Sequence, residues 1–206
     1  KKLLGDGSKW GIKLSYQIQE RPRGIAEAFI LAEDFIGKSK VGLILGDNIF
    51  YGSQLPKTIK KAKSFSGATI FTSQVSDPQR YGIVEFDKNN KPIKLLEKPE
   101  FTTSNHAITG IYFYDNKVVD IAKSLHPSGR GELEITDINK IYLKNKSLNI
   151  QKLGRGNAWL DTGTHESLLE ASQFVATLEK RQGLKISCPE EIAYRKDYIN
   201  KVQLDK

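Results

Sequence analysis

Two aspartates far apart in the chain share one local setting. Val41, Leu43, Ile44 and Leu45 form a short apolar run, Gly46 frees the backbone, and Asp47 and Asn48 follow. In the same way Ala158, Trp159 and Leu160 deliver Asp161 into Thr162, Gly163 and Thr164. The first run reads as a strand buried on both faces, and each carboxylate is expected at the end of a strand. That is where open α/β sheets bind ligands. Taken alone, a strand followed by Gly-Asp-Asn reads first as a β-turn, because these are the commonest turn residues. Taken together, the two carboxylates could converge on one Mg²⁺, which accepts one or two protein carboxylates and completes its octahedron with water and substrate phosphates.

The elements that must position them alternate along the chain. Ile12, Leu14, Tyr16 and Ile18 alternate with polar residues, which predicts a strand with one wet face. Ile25, Phe29, Ala32 and Ile36 recur at helical spacing and predict a helix stopped by Gly37. With the run to Asp47 this makes a β-α-β unit. A helix is expected from Leu55 to Phe65 with Pro56 near its start, and a strand from Ala68 to Val75. From Gly82 to Pro99 the pattern becomes an inserted β-hairpin. A strand over Ile108 to Tyr114, helices over Asn116 to Leu125 and Glu134 to Lys144, and a strand over Leu148 to Leu153 follow. Thr164 opens the longest helix, with Leu168, Val175 and Leu178 on one stripe and Gly183 as its stop. One more short helix is expected to open at Pro189.

At 206 residues, with 38% hydrophobic and 27% charged residues, the composition is that of a soluble globular domain. No apolar stretch approaches membrane-spanning length, and Lys1 to Leu4 lead into Gly5-Asp6-Gly7 with no signal-peptide core behind them. The expectation is a cytoplasmic protein with no membrane partner. The single cysteine, Cys188, cannot form an internal disulfide. A net charge of +8 points to an anionic partner. Lys57, Lys60, Lys61 and Lys63 read as the solvated face of one helix. No aromatic stacking platform is interleaved with the charge, so no nucleic-acid partner is expected. His106, His126 and His165 show no metal-ligand spacing. Methionine is absent, which suggests that Lys1 is not the natural start and that the chain is a fragment.

The strings QERPRGIAEAF, LGDNIFYG, RYGIVEF, LEKP, ITGIYFYD, RGELEITDIN, GRGNAWLDTG and CPEEIAYR occur in this order. With them, nearly the whole chain resembles the glucose-1-phosphate thymidylyltransferases of the sugar-phosphate nucleotidylyltransferase family. The fold that the resemblance implies is α/β and Rossmann-like, with a mixed, mostly parallel central sheet flanked by helices and an inserted β-hairpin region. Residues 1–206 would form a single nucleotidyltransferase domain lacking the family's N-terminal glycine-rich nucleotide loop and its C-terminal end. Such a fragment is expected to be inactive by itself, and the full-length chain is expected to be a homotetramer. Glu27 departs from the pattern, since close relatives more often carry Gln there.

The implied reaction joins dTTP and glucose 1-phosphate into dTDP-glucose and pyrophosphate for dTDP-rhamnose and surface polysaccharide. The sugar-phosphate oxygen attacks the α-phosphorus in line, with no covalent enzyme intermediate. Such chemistry needs positioning and positive charge rather than a nucleophile. Two anions brought to ~4 Å repel by ~4 kcal/mol per charge pair at an effective dielectric of ~20. By motif position, Asp47 and Asp161 would hold Mg²⁺, with Asp47, Lys98 and Arg130 as the catalytic set. Lys98 would grip the sugar phosphate and Arg130 would add a second phosphate contact. Glu97 would face the sugar hydroxyls, which on a flat strand would point away from Lys98, so a backbone bend is expected near Pro99. Tyr81, Gly82, Thr109, Gly110 and Tyr112 would line the sugar site, and Gln19 and Gly24 match the thymine-reading loop. Trp159 could stack on a ligand or simply pack. Arg155 and the Glu190-Glu191-Ile192 turn fall where relatives bind a feedback-inhibiting nucleotide sugar. Two other readings stay open: a nucleotidylyltransferase for another nucleotide or sugar phosphate, and a non-catalytic regulatory subunit of the same fold.

Overall fold

The computed structural model describes residues 2–205. Two compact units are present, one running from Gln19 to Ser167 and one made of the chain ends, up to Ile18 and from Leu168 onward.

The larger unit is an α/β layer structure. In chain order its elements are α1 (Glu27–Leu31), α2 (Glu33–Ile36), β1 (Val41–Ile44), β2 (Asn48–Tyr51), α3 (Leu55–Ala62), β3 (Ala68–Gln74), β4 (Gly82–Phe86) and β5 (Pro92–Glu97). There follow β6 (His106–Tyr114), α4 (Val118–Ser124), α5 (Ile135–Lys144), β7 (Leu148–Lys152), β8 (Ala158–Asp161) and the start of α6 (His165–Gln182). A six-stranded mixed sheet has the order β5-β4-β6-β3-β7, with β1 also on β6. β6 is its hub. β3 pairs along one edge of β6, while β1 and β4 share the other. β1, β3, β4 and β7 therefore run one way and β5 and β6 the other. Since β6 lies antiparallel between its neighbours, β3 and β7 are the one parallel adjacent pair among the described residues. The expected predominance of parallel neighbours is absent for that reason.

β6 can be a hub because HAITGIYFY is rich in β-branched and aromatic residues and is buried almost throughout. Its Tyr112 and Tyr114 join Phe29, Ile70, Val84, Val118, Ile135 and Ile138 in the main core. Phe29 meets Tyr114 edge-on at 5.2 Å. The Tyr114 hydroxyl is satisfied by donating to Asn139 Oδ1 at 2.7 Å, without which a buried phenol would cost ~1–3 kcal/mol.

Several expectations are corrected. Residues 12–18 form no strand, because among the described residues no strand pairs with them, and alternation without a partner does not make a sheet. Ile12, Tyr16 and Ile18 are exposed. The helix expected over residues 25–36 is two short ones broken at Ala32 (φ −98°, ψ 13°); helices this short follow their packing rather than their own hydrogen bonds. β1 is half-buried at alternate positions and exposed at the others, rather than buried on both faces; among the described residues it pairs with β6 alone. The expected hairpin is β4 and β5, in antiparallel register from Gly82↔Glu97.

In the smaller unit, Trp10 ends a one-turn 3-10 helix and packs with Ala193 and Ile199. α7 (Pro189–Arg195) has Pro at its first turn as expected. α8 (Lys201–Leu204) was not anticipated, although Asn200 and Gln203 make a capping box there. Among the described residues no helix is long and apolar enough to cross a membrane.

Candidate active site

The site lies wholly within the larger unit and begins where the chain leaves the hub strand. Leu45 N–H donates to Gly110 O at 3.0 Å, one step beyond the β1–β6 ladder, and Asn48 N–H then donates back to Leu45 O at 3.3 Å. This is a β-turn, and it is the turn that carries Asp47 off the sheet. β2 starts at once and pairs with β8 in antiparallel register, Asn48 opposite Asp161. The backbone and hydroxyl of Thr162 both donate to Asp47 O, at 2.9 and 2.8 Å. Two carboxylates separated by more than a hundred residues are thus tied to one small ladder.

Asn48 organises this corner. Its Oδ1 accepts from Trp159 Nε1 at 2.6 Å and from Gly110 N–H at 3.1 Å, while its Nδ2 donates to Asp47 Oδ1 at 2.8 Å. Gly110 is required for this approach, because a Cβ there would lie 2.5 Å from Asn48 Oδ1. We expect Gly110→Ala to cost ~1–3 kcal/mol by overpacking, read as a lowered denaturant midpoint at unchanged m-value. An unshifted midpoint would mean that Asn48 moves aside freely.

The opposite wall comes from the hairpin. Tyr81 leads into β4, which opens at Gly82, and Glu97 closes β5 with its Oε2 accepting from Thr136 Oγ1. The backbone bend lies at Lys98 itself, which has φ 40° and whose N–H donates to Tyr81 O at 3.1 Å. That left-handed residue, rather than Pro99, lets Glu97 and Lys98 line one cleft. Between the walls is a space of about 210 Å³ lined by Asp47, Asn48, Arg80, Tyr81, Gly82, Glu97, Lys98, Thr109, Gly110, Tyr112, Trp159 and Asp161, among others. A roomier cleft of about 370 Å³ lies around Lys40, Lys63, Phe65 and Phe113, but it holds no carboxylate and no convergent polar set.

Electrostatics in the cleft are balanced by close pairs. Asp161 Oδ2 accepts from Arg80 Nη2 at 3.0 Å and its Oδ1 from Gly163 N–H at 3.1 Å. Arg80 also reaches Asp77 at 3.1 Å and lies over the Tyr81 ring, 5.2 Å from its centroid. Burial works against its charge, but Asp77, Tyr81 and Asp161 outweigh it and hold the guanidinium protonated. Burial and then Asp77 push Tyr81 up to about 12, so the phenol keeps its proton. Burial, with Glu97 and Asp47 nearby, raises Tyr112 as well.

Not every expected residue reaches the cleft lining. Arg130 sits beside it, with its guanidinium held by Glu134 at 2.8 Å and by Glu97 at 3.4 Å. The Glu134 hydrogen bond is the main cause of its raised pKa. Gln19 and Gly24 also stand apart from the lining, although Ile25 belongs to it. The Gln19 amide donates to Glu27 Oε2 at 2.6 Å and to Gly24 O at 3.2 Å. Gly24 has φ 98°, and a Cβ there would meet Leu133 O at 2.4 Å. Trp159 lines the cleft while also packing edge-on against Tyr81 at 5.1 Å. Three cleft residues escaped the sequence reading: Asn48, Arg80 and Thr136. All three lie inside strings that carry the resemblance, LGDNIFYG, RYGIVEF and RGELEITDIN, but none was given a role there.

A family profile described as nucleotidyl transferase matches residues 1–177. The chain is similar to the glucose-1-phosphate thymidylyltransferase of Neisseria meningitidis serogroup A, at 53% identity over all of this chain and 72% of that protein. It is 52% identical to the one from Mycolicibacterium smegmatis, over 99% of this chain and 71% of that one. Among solved structures it is similar to a Bacillus anthracis protein assigned as a glucose-1-phosphate thymidylyltransferase and crystallised with a sucrose, with TM-score 0.75 and 41% identity over 84% of this chain and 69% of that one. A UDP-glucose pyrophosphorylase complexed with UDP-glucose shares the fold, with TM-score 0.70 at 22% identity over 81% of this chain and 66% of that one. The chain belongs to the nucleotidyl transferase family, among the glucose-1-phosphate thymidylyltransferases.

Proposed function

We propose that this protein transfers a thymidylyl group from dTTP to α-D-glucose 1-phosphate, giving dTDP-glucose and pyrophosphate for dTDP-sugar and surface polysaccharide synthesis. The observation that carries this reading is the cleft with Asp47 and Asp161 on one wall and Glu97 and Lys98 on the other. Cations and acceptors are both present, and no nucleophile is needed.

The donor set suits Mg²⁺. Among the described residues no group of three His, Cys, Asp or Glu side chains forms a metal cluster, which argues against zinc-type ligation. Mg²⁺ needs only one or two carboxylates and takes the rest from water and phosphates. Asp47 and Asp161 would hold it, and when bound it would draw charge from the phosphate oxygens. Lys98 binds the acceptor phosphate and sets its oxygen in line with the α-phosphorus. Glu97, fixed by Thr136, accepts from sugar hydroxyls and so orients the ring. Gly82, in register with Glu97, leaves the ring room to approach. Arg130 exchanges Glu134 and Glu97 for a phosphate oxygen as substrate enters. Gln19 Oε1 accepts from the thymine N3–H. Tyr81 and Tyr112, kept neutral, border the site without adding negative charge.

The test is pyrophosphate release by the whole protein with Mg²⁺ and glucose 1-phosphate, comparing dTTP with UTP, CTP and ATP. The expected result is turnover with a preference for dTTP. Turnover with another nucleotide alone would replace the substrate assignment, and turnover with none would leave a non-catalytic subunit of the same fold.

A further inference from the structure

We propose that Arg80 is an internal counter-cation that occupies Asp161 in the free protein and must let go of it before a divalent cation can take that carboxylate. The proposal rests on the assignment of Asp47 and Asp161 to a cation and goes further, by naming the group that competes for the site. Arg80 ends a one-turn 3-10 helix (Pro78–Arg80) at the cleft's edge. One guanidinium nitrogen holds Asp77 at 3.1 Å, and the other holds Asp161 Oδ2 at 3.0 Å. The second contact bridges 81 residues of chain, so it is not a by-product of local helix geometry as the Asp77 pair is. The other oxygen of Asp161 accepts from the Gly163 amide. Oδ2 accepts from Arg80 and, at 3.5 Å, from the Tyr81 hydroxyl, so Arg80 is the cation that an incoming metal ion would displace from that oxygen.

The geometry provides for release. Asp77 lies three residues before Arg80 on the same turn and keeps one nitrogen anchored, while the Tyr81 ring supports the guanidinium face at 5.2 Å. Giving up Asp161 then needs only a short swing rather than loss of the whole side chain. In the free protein the released guanidinium would face solvent, so a cation arriving alone must displace a charge-assisted pair. A cation arriving with a polyphosphate brings an anionic partner for the freed Arg80, and both carboxylate and guanidinium remain satisfied. The consequence is a site that takes a bare divalent cation weakly and takes the same cation well with phosphate.

The readout is binding rather than turnover: titration of the whole protein with Mn²⁺ alone, followed by the paramagnetic resonance of free Mn²⁺. Arg80→Gln is expected to bind Mn²⁺ about five- to tenfold more tightly than the parent. That is the scale of one charge-assisted hydrogen bond after allowance for the solvent that reaches Arg80. Arg80→Met, which removes the hydrogen bond as well as the charge, should gain as much and guards against a folding defect in the first variant. Arg80→Lys should stay near the parent. Equal or weaker Mn²⁺ binding in both neutral variants overturns the proposal. Adding Asp161→Asn to Arg80→Gln should erase the gain. A gain that survives this would mean that Arg80 acts on cations elsewhere, which also overturns it. If Asp161→Asn and Asp47→Asn singly leave the parent's Mn²⁺ binding unchanged, the cation assignment itself falls, and that result is distinct from the absence of an Arg80 effect.

Discussion

Lys98→Ala is expected to lower turnover by on the order of 10²-fold or more, the scale set by removing one preorganised charge partner from a developing anion. The Michaelis constant for glucose 1-phosphate should rise while that for dTTP barely moves, because Lys98 sits beside Glu97 on the hairpin wall. The conformation of Lys98 supplies an unusual control. At φ 40° the residue occupies a left-handed region that costs a side-chain-bearing residue ~1–2 kcal/mol. Lys98→Gly should therefore lose the same activity without losing stability, since relief of strain offsets the greater freedom of glycine in the unfolded chain. Steady-state kinetics and denaturant unfolding on the two variants decide the matter. An unchanged rate and Michaelis constant in Lys98→Ala would show that the lysine is held bent for some other reason.

Asp161→Asn is expected to reduce turnover by ~10²–10³-fold, taking the loss of a metal ligand as several kcal/mol of transition-state stabilisation. The Mg²⁺ concentration needed for half-maximal rate should rise as well. Stability should fall by less than ~1 kcal/mol, because the Arg80 pair is partly open to solvent and asparagine still accepts from Gly163. A Mg²⁺ titration of initial rates checks both features. Parent-like turnover at parent-like Mg²⁺ would remove Asp161 from the cation site, and the ladder joining it to Asp47 would then be a purely structural device.

Much of the architecture was legible because periodicity is a local property. The hairpin, β3, β6, β7, α5 and α6 stand where apolar spacing and Gly or Pro signals put them. What the spacing could not carry was pairing. Ile12 to Ile18 alternate as well as any strand in the chain, yet among the described residues no strand pairs with them. β6 runs antiparallel between neighbours that agree with one another, a relation set by topology rather than by composition. At the site, the two aspartates announced themselves by shared grammar, but their shared cleft depends on Asn48 and on Thr162 reaching back to Asp47 O. The Glu97 and Lys98 problem was visible as a geometric conflict, and its solution, a left-handed lysine, was not, because lysine does not advertise that conformation as glycine would. Arg80 was hidden for a different reason: its partner, Asp161, is distant in sequence.

The position of β6 has a further consequence, for motion. Ile108, Thr109, Gly110 and Tyr112 of β6 line the cleft, and the ladders are interrupted there: β3 steps from Tyr112 to Ile108 across a register shift, while on the other edge β1 pairs as far as Ile111 and β4 only at Ala107. Between these ladders the Gly110 amide is held by the Asn48 side chain, so it should exchange when that corner opens locally, sooner than the amides of the paired stretches. The floor that substrate meets is thus tied to the corner built by Asn48 as well as to the sheet. Around it Arg80, Lys98 and Arg130 can reorient on the timescale of rotamers, whereas a movement of Asn48 would carry the Asp47 turn and the Trp159 ring with it.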